Sequence, residues 1–244
     1  MKRVVVIIED RLSFGGAKDM LLSVEGLLLN ADPTFYEDVP TANNTTIIFG
    51  HICWDVTDDL AAEFKNEFDK ACSDMLSEFK AWTAGTQQIP VHYLPIRLSR
   101  ETYEKQDGDS KCGEEVVKKI DEEISRIFKS SPNPSQVKTV VLLDVLLFYG
   151  ETREIARILS DSEKALSENI FLRWTEIGRS VIPYTQYEGK AELARIKWAE
   201  KVGRKGEIPY ERHRIADGRI YIPFKKEIFG ALDIQEKQSR KARK

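Results

Sequence analysis

The sequence predicts an α/β protein built around a parallel sheet. Two runs of consecutive β-branched and aliphatic residues, Val4–Ile8 and Val140–Leu143, are typical of strands that are buried on both faces. Between and after these runs, segments with apolar residues at three- and four-residue steps alternate with other extended segments. Because alternating strands and helices are typical of parallel α/β folds, we expect one sheet with helices packed against it.

The expected elements follow from these patterns. Strands are expected at about 3–9, 45–52, 140–147, 180–184 and 219–223, and helices at about 17–29, 57–82, 114–129, 151–159, 163–177, 191–202 and 225–234. The segment 89–96 is also extended, but Pro90 and Pro95 favour an edge position or a linker over a central strand.

Composition limits the class of protein. With 244 residues, 41% of them hydrophobic, the chain is long enough for one large domain or for one domain that carries an insertion. The apolar run before Glu9 has only five residues, too few for a signal-peptide core, and no stretch approaches the roughly 18 apolar residues that span a bilayer. We therefore expect a soluble, cytoplasmic protein with no membrane partner.

Charge is distributed unevenly along the chain. Residues 190–244 contain 16 basic and 8 acidic side chains, a net charge of +8. Since the whole chain carries −3, residues 1–189 carry −11. The basic tail 236–244 is typical of a solvated terminus, and nucleic-acid binding through the basic C-terminal region is the alternative.

Both apolar runs end on acidic residues. Glu9 and Asp10 follow the first run, and Asp144 follows Leu143. Because the carboxyl ends of parallel strands lie at one edge of a sheet, where α/β proteins bind ligands, these three carboxylates are expected to meet there. Carboxylate oxygens are the ligands that Mg²⁺ prefers, so the sequence predicts a magnesium site. The alternative is that Glu9 and Asp10 begin a surface loop and Asp144 caps the following turn.

Four short motifs occur in an order that resembles a known family. An acidic pair follows the first strand, an Asp ends a Val/Leu strand, a Thr follows the next strand, and a Tyr-Ile-Pro-Phe segment comes near the end of the chain. These motifs are Glu9-Asp10, Val141-Leu142-Leu143-Asp144, Pro183-Tyr184-Thr185 and Tyr221-Ile222-Pro223-Phe224. Their order resembles that of the receiver domain of two-component response regulators.

The resemblance implies a flavodoxin-like fold, with a parallel sheet, helices on both faces and an α-rich insertion. Asp144 would be the phospho-acceptor, Glu9 and Asp10 would hold Mg²⁺ together with Asp144, and Thr185 would bind the phosphoryl group. A histidine kinase or another phosphodonor protein would act upstream, and a separate effector protein would receive the signal. One receiver-like domain would span 1–235 with an insertion at about 53–136, followed by the tail 236–244.

One departure from the receiver pattern leaves three functions open. Receivers carry a Lys directly before the Pro that follows their last strand, and this chain has Ile222 there. The first function is a signalling module that accepts a phosphoryl group on Asp144. The second is a degenerate receiver that acts only as a protein-binding module. The third is a Mg²⁺-dependent nuclease or phosphohydrolase that uses the same carboxylates and binds nucleic acid through its basic C-terminal quarter.

The cysteines provide a weaker signal. Cys53, Cys72 and Cys112 are odd in number and irregularly spaced, which predicts free thiols rather than a disulfide framework. His51 and Cys53 are two potential zinc ligands that alternation places on the same strand face, but no second ligand pair follows at metal-site spacing. The sequence therefore favours packing over zinc binding for both side chains.

Overall fold

A computed structural model describes residues 1–10, 14–55, 62–85, 88–99, 102, 107–129, 137–144, 147, 166–185, 210–211 and 221–237. In chain order its elements are β1 Lys2–Glu9, α1 Phe14–Leu29, β2 Thr45–Asp55, α2 Ala62–Thr83, β3 Val91–Ser99, α3 Gly108–Ile127, β4 Val137–Asp144, α4 (described over 166–176), β5 Ser180–Thr185, β6 Tyr210–Glu211 and α5 Tyr221–Ala231.

The strands form one parallel sheet in the order β3-β2-β1-β4-β5-β6. β1 lies at the centre between β2 and β4, which confirms that the strands starting near Val4 and Val140 are adjacent and parallel. This order is that of Rossmann-type doubly wound α/β folds, and without edge strand β3 it is compatible with the predicted flavodoxin-like order. β3 extends the sheet at one edge, where Pro95 within the strand and Pro90 just before it are tolerated.

Helices cover both faces of the sheet, because alternate residues of the central strands point in opposite directions. Val4, Val6 and Ile8 face a core formed with α3 and α4. Val5 and Ile7 face a second core formed with α1, α2 and α5. The five apolar residues of β1 are all fully buried, which explains why this strand lacks polar alternation.

The structure contradicts the prediction of a last strand at 219–223. Tyr221, Ile222 and Pro223 instead begin helix α5, and residues 219–220 lie outside the described part. Pro223 fits there because the first turn of a helix has backbone N–H groups with no partner inside the helix, so a missing donor costs little. The edge position beyond β5 is taken by the short strand β6.

Other boundaries differ less. Helix α3 starts at Gly108, six residues before the predicted start at 114, and α1 starts at Phe14 rather than at 17. The segment predicted as an insertion, about 53–136, contributes α2, β3 and α3. β3 joins the sheet, and α2 and α3 pack into the cores on its two faces. The predicted helices at 151–159 and 191–202 lie outside the described residues.

Among the described residues, no helix combines the length and the apolar composition that crossing a bilayer requires.

Candidate functional site at the carboxyl edge

Two of the predicted acidic residues lie side by side at the carboxyl edge of the sheet. Ile8 of β1 is the register partner of Leu143 of β4, so Glu9 and Asp144 occupy the next positions on neighbouring strands. Adjacent strands are about 4.8 Å apart, and register partners in a parallel sheet point to the same face. Both side chains are fully buried. The prediction that β1 and β4 place acids at a common edge agrees with this arrangement.

Tyr184 of β5 connects this pair to the rest of the sheet. Tyr184 is the register partner of Asp144, and its hydroxyl donates to Glu9 Oε1 at 2.9 Å, with Ile8 O at 3.2 Å. Because β4 lies between β5 and β1, the phenol must cross Asp144 to reach Glu9. The phenol of Tyr184 therefore passes over the position of Asp144, which has no solvent exposure.

Asp10 and Thr185 are the remaining predicted site residues. Asp10 directly follows β1 and is half-buried. Thr185 ends β5, and its side chain lies outside the described part. Ser167 of α4, which the sequence did not single out, is buried and donates to the carbonyl of Asp144 at 3.2 Å. This contact fixes the backbone at the end of β4.

The segment that resembles the closing part of a receiver does not form the expected strand. Ile222 lies in the first turn of α5 rather than at the end of a strand. Lys225, one turn further on, stacks its ammonium group over the rings of Tyr36 and Phe229, at 5.1 and 4.9 Å from their centroids. This cation–π contact engages Lys225 away from the carboxylates.

The chemistry of this edge is that of a site for a hard cation. Two buried carboxylates on neighbouring strands repel one another when both are ionised, and a cation between them lowers that repulsion. Mg²⁺ is held in proteins by one or two carboxylates and completes its octahedron with water. Glu9 and Asp144 provide such a pair, and half-buried Asp10 directly follows Glu9 in the chain.

A second cluster lies on the same face, beginning one strand away. His51 of β2 is the register partner of Glu9. Its Nδ1 atom is 2.9 Å from the hydroxyl of Tyr93 and 3.4 Å from Cys53 Sγ. Cys72 of α2 places its Sγ atom 2.9 Å from that of Cys53. The expectation of free thiols agrees with the structure, in which all three cysteines are unbridged.

Two pKa values in the second cluster are shifted. The hydrogen bond with Cys72, together with burial, raises the pKa of the Cys53 thiol far above its usual range. Burial raises the pKa of the Tyr93 hydroxyl as well, with a further contribution from the neighbouring thiols. Both shifts favour the neutral forms of the Cys53 thiol and the Tyr93 hydroxyl.

Sequence reasoning recognised two members of this cluster and missed its third. His51 and Cys53 share a face because they alternate along β2, as predicted. Cys72 comes 19 residues after Cys53, which matches no metal-motif spacing. It reaches the pair because α2 packs over this face of the sheet, and that tertiary contact has no signature in local sequence.

Comparisons with known proteins leave the family open. No protein-family model matches the chain, and no curated protein matches it. Among solved structures it partly resembles a UDP-forming alpha,alpha-trehalose-phosphate synthase from Burkholderia xenovorans, with a TM-score of 0.32 and 12% sequence identity. That match covers 95% of this chain and 43% of the synthase, so the chain spans less than half of that protein. A likeness this weak carries no conclusion about activity.

Proposed function

We propose that the protein is a receiver-like signalling module that binds Mg²⁺ through Glu9, Asp10 and Asp144, and whose metal-bound state changes its affinity for a separate effector protein. The observation that carries this proposal is the placement of Glu9 and Asp144 as buried neighbours on β1 and β4. The parallel sheet with β1 between β2 and β4 is compatible with a flavodoxin-like fold of this kind.

We infer that phosphotransfer to Asp144 is not the main activity of the protein while Tyr184 is hydrogen-bonded to Glu9. A phosphodonor must reach a carboxylate oxygen, whereas Asp144 has no solvent exposure and lies beneath the phenol of Tyr184. Ile222 also stands where receivers have a Lys, and it lies in a helix. A histidine kinase is a partner in this proposal only if Tyr184 moves aside and Thr185 then binds the phosphoryl group.

The enzyme alternative is favoured by one observation, the net charge of +8 on residues 190–244. A metal-dependent nuclease combines a Mg²⁺ site with basic residues that bind the nucleic-acid backbone. The same three carboxylates would then hold the metal, so the two functions differ in whether nucleic acid is cut.

A thermal-shift experiment tests the metal site. A ligand that binds only the native state stabilises it by RT ln(1 + [L]/Kd), about 2.7 kcal/mol at a hundredfold excess over Kd. For a chain of this size, we expect the melting temperature to rise by about 5–11 °C in saturating Mg²⁺. Asp10→Ala and Asp144→Ala should lose most of this rise, even if loss of carboxylate repulsion stabilises the metal-free protein.

Glu25→Gln is the matched control for these variants. Glu25 is also a buried carboxylate, but it lies near the far end of α1 and accepts hydrogen bonds from the backbone N–H groups of Gln88 and Ile89. Its variant should keep the full response to Mg²⁺. An equal response in the wild type and in both aspartate variants would show that the metal binds elsewhere.

Two further assays separate the three functions. Beryllofluoride is a mimic of the phosphoryl group. If Tyr184 keeps Asp144 covered, beryllofluoride should form no adduct with Asp144 in the wild type. A Mg²⁺-dependent adduct at Asp144 would instead establish the phospho-accepting receiver. Cleavage of nucleic acid by the wild type in Mg²⁺, and its loss in Asp144→Ala, would establish the enzyme.

A further inference from the structure

Three soft ligand atoms meet on the face of the sheet that α2 covers. They are a ring nitrogen of His51 and the Sγ atoms of Cys53 and Cys72, and they all lie within 4.8 Å of one another. We propose that His51, Cys53 and Cys72 form a binding site for a zinc ion. This site is separate from the carboxylates of the proposed function and stands without them.

The distances fit tetrahedral coordination after a small adjustment. Zinc ligands at about 2.0–2.3 Å from the metal are about 3.5–3.8 Å apart in a tetrahedron. His51 Nδ1 and Cys53 Sγ are 3.4 Å apart, which is already close to this value. The two Sγ atoms are 2.9 Å apart and must separate by somewhat less than about 1 Å. Cys72 can make this change because its side chain is only partly buried.

Charge balance favours zinc in this environment. Burying a net charge is costly unless it is paired. A divalent cation bound to two thiolates and one neutral imidazole has no net charge, which suits a site where His51 is fully buried and Cys53 is 5% exposed. Sulfur and imidazole ligands also select zinc over Mg²⁺, which prefers oxygen. The two metal sites on this face should therefore not compete for the same ion.

Tyr93 completes the site. Its hydroxyl is 2.9 Å from His51 Nδ1, the atom that would bind zinc. The metal would replace this hydrogen bond and leave the phenol beside the fourth coordination position, which its oxygen or a water hydrogen-bonded to it can fill. Since the ligands come from β2 and α2, with Tyr93 from β3, bound zinc would fasten α2 to the edge of the sheet.

Titration of the reduced full-length chain with Co²⁺ tests this proposal, because Co²⁺ is a spectroscopic substitute for zinc. We expect one equivalent to produce a thiolate-to-cobalt charge-transfer band and the visible bands of tetrahedral cobalt, and added Zn²⁺ to remove both. Loss of a ligand costs more than the 10–100-fold that loss of its hydrogen-bonding partner costs. Cys72→Ser should therefore weaken Co²⁺ binding more than about 100-fold.

Cys112→Ser is the matched control, because Cys112 is a buried cysteine in the core on the opposite face of the sheet. It should leave the cobalt spectrum unchanged. Cys72→Ser is the informative variant because its partly exposed side chain can be replaced without opening the core, and circular dichroism checks that it is folded. A wild type without tetrahedral cobalt bands, or a Cys72→Ser spectrum identical to that of the wild type, would overturn the proposal. The proposal would also be overturned if the protein contained a Cys53–Cys72 disulfide and bound no metal after that disulfide was reduced.

Discussion

The hydrogen bond from Tyr184 to Glu9 should make a measurable contribution to stability. Tyr184→Phe removes one hydroxyl oxygen and keeps the ring that covers Asp144. The lost hydroxyl donates to Glu9 Oε1 at 2.9 Å within a fully buried environment. Deleting one partner of a buried hydrogen bond costs about 1–3 kcal/mol. We therefore expect the free energy of unfolding to fall by about 2 kcal/mol, equivalent to about 4–8 °C in melting temperature.

Urea unfolding in Mg²⁺-free buffer at neutral pH measures this change. Tyr36→Phe is the control, because Tyr36 is a half-buried tyrosine whose ring packs edge-on against Phe229 at 5.1 Å. The control should change the free energy of unfolding by less than about 0.5 kcal/mol. A loss of similar size in both variants would refute the specific role of the Tyr184 hydroxyl.

Two other predictions concern packing and pH. Gly50→Ala should destabilise the protein by about 1–2 kcal/mol, because its Cβ would lie 3.0 Å from Ile120 Cδ1. Gly26→Ala in α1, where a Cβ has open space, should stabilise it by about 0.5–1 kcal/mol, and denaturation with urea distinguishes the two signs. Burial lowers the pKa of His92 below 6.5, although Glu123 opposes the shift. The unfolded chain then binds a proton that the folded chain does not, so stability should fall as pH falls from 6.5 toward the folded pKa. His92→Gln should flatten this part of the curve of urea midpoint against pH, and an unchanged curve would contradict the assignment.

Sequence patterns were sufficient for the centre of the sheet. Val4–Ile8 and Val140–Leu143 have only one favourable environment, a strand buried on both faces, so their pairing and the common edge of their acids follow from composition. The edge of the sheet was less predictable. Tyr221-Ile222-Pro223 has the composition of a strand, yet it begins α5 because Phe224 and Ile228 then pack into the core.

Contacts between distant segments had no local signal. Helix α3 begins at Gly108 after Asp107, a residue type that is common at helix starts, but Asp107 has a left-handed backbone and makes no side-chain capping hydrogen bond. The coverage of Asp144 by Tyr184 depends on the order of β1, β4 and β5, and the approach of Cys72 to Cys53 depends on how α2 packs. Both features depend on tertiary structure.

Direct counting of bound Mn²⁺ by electron paramagnetic resonance is the measurement closest to the central claim, because Mn²⁺ prefers the same oxygen ligands as Mg²⁺. The account predicts one bound Mn²⁺ per wild-type chain, displaced by Mg²⁺, with binding lost in Asp144→Asn and retained in Glu25→Gln. Binding of equal stoichiometry and affinity in the wild type and in Asp144→Asn would contradict a metal site at the carboxyl ends of β1 and β4.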